Sequence, residues 1–229
     1  MAAARLSALQ WRVLEVLSGL EPRFALTGGS ALIGFYLSHR TTRDLDLIWR
    51  RRHLLETITD EARAGLRAAG LEVADVQAAG TFHRFRVSDG KDVTLLDLVA
   101  EPMDPIQAPR EVSLGDTSVL VDTPHEILVN KLVALLGRSE LRDLQDIKAL
   151  VESGEDLDRA VADAPRKDGG FSPLTLAWLL RSFPEEALGQ ALGWGAEEIA
   201  ELQRFKHLLI GRLLAESSDE GRPPEVPPE

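Results

Sequence analysis

The sequence contains no cysteine and few aromatic side chains. The lack of cysteine excludes several classes of functional site. Its 229 residues include no cysteine and one tyrosine. Disulfide scaffolds, thiolate zinc sites and cysteine nucleophiles are therefore excluded. No apolar run approaches the length of about 18–20 residues that a transmembrane helix needs. We expect a protein without a membrane partner, and the lack of cysteine is compatible with a cytoplasmic location.

Basic residues are scarce relative to acidic ones. There are 26 Lys and Arg against 37 Asp and Glu, which gives a formal net charge of −11. Such a chain does not bind nucleic acid through its overall field, so any RNA contact requires a local basic patch. The densest cluster of basic residues in the sequence consists of Arg40, Arg43, Arg50, Arg51 and Arg52. They either position a triphosphate or an RNA backbone, or form a solvated helix start.

The spacing of apolar residues divides the chain into a mixed part and a helical part. Strands are predicted at 24–27, 45–49, 71–76, 82–87, 93–99, 111–114 and 118–121. Helices are predicted at 6–20, 31–38, 51–69, 123–137, 140–151, 157–164, 173–181, 184–192 and 196–215. We therefore predict an α+β fold, with an α/β core over 1–121, a helical domain over 122–215 and a disordered, acidic, proline-rich tail over 216–229.

One stretch in the mixed part combines two features of phosphate chemistry. Gly28, Gly29 and Ser30 lie between a predicted strand and a predicted helix, where backbone N–H groups and the helix dipole favour a phosphate. Ser30 can cap that helix or bind a phosphate oxygen. Asp44 and Asp46 are two apart on a strand, so both carboxylates face one side and can bind a hard cation. Each feature alone is also typical of an ordinary turn.

A third carboxylate lies in the nearly apolar strand 93–99. A buried carboxylate needs a metal, a cation or a set of hydrogen bonds, and we predict that Asp97 binds a metal or activates an acceptor hydroxyl. The alternative is that Asp97 pairs with a neighbouring arginine. Arg84 and Arg86 lie on the preceding strand and are expected to line the same cleft. Asp92 is a weaker choice for the third ligand because it lies at the start of the strand.

The run Arg40-Thr41-Thr42-Arg43-Asp44-Leu45-Asp46 resembles the Arg-x-(Ser/Thr)-x-Asp-x-Asp motif of the AbiEii/AbiGii toxin family. That family belongs to the DNA polymerase β-like nucleotidyltransferase superfamily. It also carries a lysine on a later helix, followed by an Arg/Lys-Asp-x-x-Asp segment. Lys131 and the segment 142–146 (Arg-Asp-Leu-Gln-Asp) stand in those places. The resemblance covers about residues 24 to 151.

The resemblance implies a fold, a reaction and a set of site residues. The fold would be a polymerase β-like core, a mixed sheet flanked by helices, followed by a C-terminal helical bundle. The reaction would move a nucleoside monophosphate from an NTP to an acceptor hydroxyl and release pyrophosphate, with Mg²⁺ or Mn²⁺ as cofactor. The metal ligands would be Asp44, Asp46 and Asp97, and the nucleotide would contact Gly28, Gly29, Ser30, Arg40, Thr42 and Lys131.

The later motif residues allow alternatives when they are judged by spacing alone. Lys131 lies beside the apolar stripe of its helix, where a lysine either reaches solvent or contacts the phosphates of the nucleotide. Asp143 and Asp146 share a helix face, either as a solvated pair or as support for the site through Lys131 or an arginine. Which of the two acids gives that support is left open.

The family further implies a toxin of a toxin–antitoxin or phage-defence pair that modifies RNA, with tRNA as the expected acceptor and a cognate antitoxin as a partner. Two other functions remain open from the sequence. One is transfer to a small molecule or a protein side chain, which needs only a closed pocket. The other is a catalytically silent NTP-binding protein on the same fold, which would bind NTP without turnover.

Overall fold

The computed structural model describes residues 6–138 and 140–219 of the chain. These residues form two compact units that divide between Ile127 and Leu128. The first unit contains the sheet, and the second is helical. The division falls inside the helix Pro124–Gly137, whereas the sequence placed a domain boundary just before that helix.

A seven-stranded mixed sheet forms the centre of the first unit. The strands are β1 (Ala25–Thr27), β2 (Asp44–Arg50), β3 (Glu72–Ala78), β4 (Phe82–Ser88), β5 (Val93–Glu101), β6 (Arg110–Leu114) and β7 (Thr117–Val121). Their order across the sheet is β3-β4-β5-β2-β1-β7-β6. The pairs β2/β5 and β1/β7 are parallel, and the other pairs are antiparallel. This mixed sheet confirms the predicted α+β class.

Three helices accompany the sheet in the first unit. They are α1 (Ala8–Leu17), α2 (Gly28–Ala31), which continues as a π-helical turn (Leu32–Tyr36), and α3 (Ile58–Ala68). A capping box starts α1, because the Ser7 side chain accepts the Gln10 N–H and the Gln10 side chain accepts the Ser7 N–H. Helix α2 starts three residues earlier than predicted, directly at the glycine pair.

Alternation along β2 separates the core from the site. Leu45 and Leu47 are fully buried, whereas Asp44 and Asp46 point to the opposite face and are half-buried. Burying a leucine side chain contributes about 1.5–3 kcal/mol. The two leucines therefore fix the register of β2, and that register decides which face presents the two carboxylates.

The predicted helix over 51–69 is wrong in its first seven residues. Arg51 and Glu56 have positive φ angles of 60° and 49°, which an α-helix does not accommodate. The Leu55 N–H donates to the Gly80 carbonyl at 2.9 Å, so tertiary hydrogen bonds replace helical ones in this segment. A helix over 51–69 would place Leu54 on its inner, apolar face, but Leu54 is 50% exposed.

The dipeptides Asp89-Gly90 and Gly115-Asp116 predict two hairpin turns, and the structure confirms both. Residues 89–92 connect β4 to β5, and Gly90 has a φ of 85° there. Residues Gly115 and Asp116 connect β6 to β7, and Gly115 has a φ of 59°. Positive φ is the reason that a glycine is needed at each turn.

Helices make up the second unit. Helix α4 (Pro124–Gly137) begins in the first unit and continues into the second, followed by α5 (Leu141–Glu152), α6 (Leu157–Asp163), a 3₁₀ turn (Ala164–Arg166), α7 (Pro173–Arg181), α8 (Glu185–Ala191) and α9 (Ala196–Asp219). Helix α9 extends four residues into the predicted tail, and residues 220–229 lie outside the described part. Within the described residues, no helix is long and apolar enough to span a membrane.

Candidate active site

The pairing of β2 with β5 brings the three predicted carboxylates onto one face of the sheet. Asp46 is in register with Asp97, and Asp44 is in register with Leu95. Paired residues on neighbouring strands project to the same side, about 4.8 Å apart. Asp44, Asp46 and Asp97 therefore form one cluster, which we call the carboxylate cluster.

The glycine turn lies directly against this cluster. Gly28 has a φ of 61°, and a Cβ atom there would lie 2.6 Å from Asp46 Oδ2. A Cβ atom at Gly29 would lie 2.5 Å from Arg40 Nη2. Gly28 therefore needs glycine because of its positive φ, whereas a Cβ atom at Gly29 would displace the end of the flexible Arg40 side chain. The two halves of the motif, distant in sequence, are in contact.

Ser30 connects the turn to β2 through its hydroxyl group. The hydroxyl donates to the Thr27 carbonyl at 3.0 Å and accepts the Asp46 backbone N–H at 3.2 Å. The capping role predicted for Ser30 is wrong, because α2 begins at Gly28 with Thr27 as its N-cap residue. In this structure Ser30 is fully buried and fixes the turn beside Asp46. Its contact with a phosphate oxygen stays a prediction.

Two further side chains hold the start of β2. The Thr42 hydroxyl accepts the Asp44 N–H at 3.3 Å. The Gln10 amide nitrogen on α1 donates to the carbonyls of Thr42 and Asp44 at 3.4 and 3.5 Å. Sequence reasoning missed Gln10, which is 1% exposed. One signal in the sequence could have pointed to it. Gln10 directly follows Leu9, which belongs to the apolar side of an amphipathic helix.

Arg84 binds Asp97 with a two-point ion pair. Its Nε and Nη2 atoms each lie 2.6 Å from an Asp97 carboxylate oxygen, because the two residues are directly opposite on β4 and β5. The hydrogen bond to Asp97 raises the pKa of Arg84 against the opposing effect of burial, and the charges of Asp97, Asp44 and Asp46 raise it further. The structure thus shows Asp97 paired with a neighbouring arginine, the alternative to a metal that the sequence left open.

The carboxylate cluster can be tested as a metal site by its donor set. Asp44 and Asp46 supply oxygen donors on one strand face, which suits a hard divalent cation. Asp97 already gives both oxygens to Arg84. Among the described residues, no three His, Asp or Glu side chains are arranged as a ready metal site. The residues fit a cation at Asp44 and Asp46, and the metal role of Asp97 stays a prediction.

A second ionic cluster at the other end of β2 was missed from the sequence. Arg50 Nη1 and Nη2 lie 2.7 and 2.8 Å from the two Asp122 oxygens, and Nη2 also donates to Glu126 at 3.0 Å. Arg50 Nε lies 3.0 Å from Glu101. Burial would lower the pKa of Arg50, but its hydrogen bond to Asp122 and the charges of Asp122, Glu126 and Glu101 raise it instead.

The predicted basic patch is divided by the length of β2. Arg40 and Arg43 precede the strand and Arg51 and Arg52 follow it, so about 25 Å separates the two pairs at ~3.3 Å per residue. Arg51 pairs with Asp104 at 2.5 Å and is 78% exposed. A triphosphate bound at the glycine turn is far shorter than this span. Of the two pairs, only Arg40 and Arg43 lie near the carboxylate cluster.

The second unit contains a third ionic cluster, centred on Lys131. Lys131 Nζ lies 2.6 Å from Asp143 Oδ1 and 2.9 Å from Asp146 Oδ2, and Arg138 Nε lies 2.9 Å from Asp143 Oδ2. Burial would lower the pKa of Lys131, but the charges of Asp146 and Asp143 raise it. Asp143 and Asp146 are fully buried, so the solvated-pair alternative is wrong. Both acids hold Lys131.

Comparison with known proteins gives the family. A family model described as the nucleotidyl transferase AbiEii toxin of type IV toxin–antitoxin systems matches residues 12–205. The chain belongs to the AbiEii nucleotidyltransferase toxin family. The prediction from the motif Arg40–Asp46 is thereby confirmed, and so is the assignment of the protein as a nucleotidyltransferase.

Solved structures share the fold at low sequence identity. A candidate nucleotidyltransferase of Helicobacter pylori is 20% identical, with a TM-score of 0.54 and coverage of 92% of this chain and 98% of the other. The nucleotidyltransferase toxin MenT4 of Mycobacterium tuberculosis H37Rv is 16% identical, with a TM-score of 0.54 and 91% of both chains covered. At these identities the likeness shows the fold alone. No curated protein matches the sequence.

Proposed function

We propose that this AbiEii-family nucleotidyltransferase transfers a nucleoside monophosphate from an NTP to an acceptor hydroxyl at the carboxylate cluster. The observation that carries the proposal is the contact between the glycine turn and Asp46, where a Cβ atom at Gly28 would lie 2.6 Å from the carboxylate. This contact supports a phosphate cradle next to a cation site. This is the arrangement that an NTP with its metal requires.

Mg²⁺ or Mn²⁺, held by Asp44 and Asp46, would offset the negative charge of the triphosphate. The backbone of Gly28 and Gly29 lets the phosphates approach closely. Arg40, whose guanidinium lies against Gly29, binds a phosphate oxygen. Thr42 keeps the Asp44 backbone in place. These side chains bind and orient the nucleotide before reaction.

The transfer itself is an in-line displacement at the α-phosphorus. The acceptor oxygen forms a bond to the α-phosphorus, and the bond to the β-phosphate oxygen breaks, so that pyrophosphate leaves with that electron pair. The proton of the acceptor hydroxyl passes to Asp97, which is in register with Asp46, or to water if Asp97 would instead ligate the cation. Positioning and electrostatic stabilisation supply most of the catalysis in such transfers.

We propose tRNA as the acceptor and the cytoplasm as the place of the reaction, where NTP and RNA occur together. Membership of a type IV toxin–antitoxin family supports a toxic role and a cognate antitoxin. The net charge of −11 requires that RNA contact be local. Arg40 and Arg43, directly before β2, supply that contact beside the site, and Arg51 and Arg52 extend it.

The acceptor can be identified with α-labelled NTPs. The full chain is incubated with each NTP, Mg²⁺ and total RNA, in parallel with Asp46→Asn and the matched control Asp92→Asn, an exposed acid at the start of the strand next to β2. We expect label on tRNA with the wild type and the control, and none with Asp46→Asn. Label on protein or a small metabolite would favour the small-molecule or protein transferase. NTP binding without any label would indicate a silent binding protein.

We propose that Lys131 is needed for the transfer reaction, with Asp143 and Asp146 as its supports. Changing Lys131→Met alone removes the cation that the buried carboxylates of Asp143 and Asp146 share, which costs about 3–5 kcal/mol. The double variant Lys131→Met/Asp146→Asn removes one charge of each sign. It should unfold in urea close to the wild type, yet remain inactive. A stable double variant with wild-type transfer would show that the cluster is structural only.

A further inference from the structure

Arg84 contacts the carboxylate cluster at two points, through both carboxylate oxygens of Asp97. It lies on β4, directly opposite Asp97, which in turn lies opposite Asp46. A row across strands β2, β5 and β4 therefore contains Asp46, Asp97 and Arg84, in that order. Both Asp97 oxygens accept hydrogen bonds from Arg84 at 2.6 Å.

This ion pair is built into the sheet rather than made by chance on its surface. The Asp97 side chain is 8% exposed and the Arg84 side chain is 34% exposed, so the pair is shielded at the carboxylate and open at the guanidinium. The planar fork of an arginine matches a carboxylate at two points and is weakly hydrated. A hydrated divalent ion must therefore displace a well-matched partner to reach Asp97.

The neighbouring charges strengthen the hold of the cluster on Arg84. The charges of Asp44 and Asp46 also act on Arg84, so the guanidinium belongs electrostatically to the whole cluster.

We infer that Arg84 takes the place of a second divalent cation at Asp97, so that this chain binds one cation with each NTP, at Asp44 and Asp46. The inference rests on the proposed cation site at those two residues. Arg84 is then a positioning residue, which orients Asp97 through two hydrogen bonds. Asp97 in turn acts on the acceptor hydroxyl as a hydrogen-bond acceptor and not as a metal ligand.

Counting bound Mn²⁺ tests this inference without measuring turnover. The full chain is saturated with a non-hydrolysable NTP, and bound Mn²⁺ is measured by electron paramagnetic resonance and calorimetry. We expect one Mn²⁺ per chain in the wild type and two in Arg84→Gln. The matched control Arg110→Gln, an exposed arginine on the edge strand β6, should keep one. Two ions in the wild type, or one in Arg84→Gln, would overturn the inference.

A charge-neutral double variant covers the case in which Arg84→Gln fails to fold. Arg84→Gln/Asp97→Asn removes one charge of each sign, so it should bind one Mn²⁺ with an affinity within about threefold of the wild type. An affinity at least tenfold weaker would show that Asp97 is a ligand and would overturn the inference. Failure of the proposed function is a separate result, in which Asp46→Asn binds Mn²⁺ and NTP as well as the wild type.

Discussion

The two ends of strand β2 place their charged side chains in different environments. Even-numbered residues of β2 share one face of the sheet, with Asp44 and Asp46 at its start and Arg50 at its end. At the start, two acids are half-buried and face the glycine turn. At the end, a cation is enclosed by acids. One strand face thus carries a half-buried pair of carboxylates at one end and a buried ion cluster at the other.

The two ends of β2 differ in the burial of their charged groups. The Glu126 carboxylate accepts not only from Arg50 but also from the backbone N–H groups of Ile106 and Gln107, at 2.7 and 3.1 Å. Asp122 gives both oxygens to Arg50 and is fully buried. A buried ion cluster is tolerated when its bonds are complete. The Arg50 end therefore serves stability, whereas Asp44 and Asp46 at the other end are only half-buried.

The largest expected effect is the loss of stability in Arg50→Met. It leaves the buried carboxylates of Asp122 and Glu126 without their cation, which costs about 3–5 kcal/mol. Urea unfolding followed by circular dichroism measures this. The neighbouring Arg51→Met removes only an exposed pair and should cost less than about 1 kcal/mol. Equal costs for both variants would abolish the distinction between the two ends of β2.

Asp46→Asn should show the converse behaviour. Nucleotidyl transfer should fall at least about 100-fold, the loss typical for removal of one electrostatic group from an active site. The free energy of unfolding should stay within about 1 kcal/mol of the wild type, because Asp46 is half-buried. Transfer rate and urea unfolding are measured on the same preparation. A destabilised but active Asp46→Asn would place Asp46 with the structural cluster.

Gly28→Ala should have a modest effect on stability and a selective effect on the reaction. The positive φ of 61° costs about 1 kcal/mol for any L side chain, and the added Cβ would lie 2.6 Å from Asp46 Oδ2. Gly90→Ala carries the same type of backbone cost at a φ of 85°, with no atom within 4 Å of its Cβ. Both variants should lose similar thermal stability, but only Gly28→Ala should lose transfer. Equal transfer would separate the glycine turn from the site.

The sequence was sufficient for features that depend on local pattern. Alternation of apolar residues located all seven strands, and the Asp-x-Asp spacing placed two carboxylates on one face. The Gly90 and Gly115 turns followed from the need for positive φ. The family motif Arg40–Asp46 connected these features to one reaction class.

What the sequence could not give depends on contacts between distant residues. Arg50 and Asp122 are 72 positions apart, and no local pattern couples them. The segment after β2 has helical periodicity, yet tertiary hydrogen bonds such as that of Leu55 to Gly80 hold it in another conformation. Serine is a common N-cap residue. In this fold, however, the register of β2 brings the Asp46 backbone N–H to the Ser30 hydroxyl, which accepts its hydrogen bond.

The central claim is that the cation and the NTP bind at the Asp46 end of β2. Substituting Fe²⁺ for Mg²⁺ in the NTP-bound protein and adding ascorbate and peroxide cleaves the backbone close to the metal. The account predicts cuts near Gly28, Asp46 and Asp97, detected by mass spectrometry and suppressed by excess Mg²⁺. Cuts confined to the segment after Arg50, or a pattern that Asp46→Asn leaves unchanged, would contradict it.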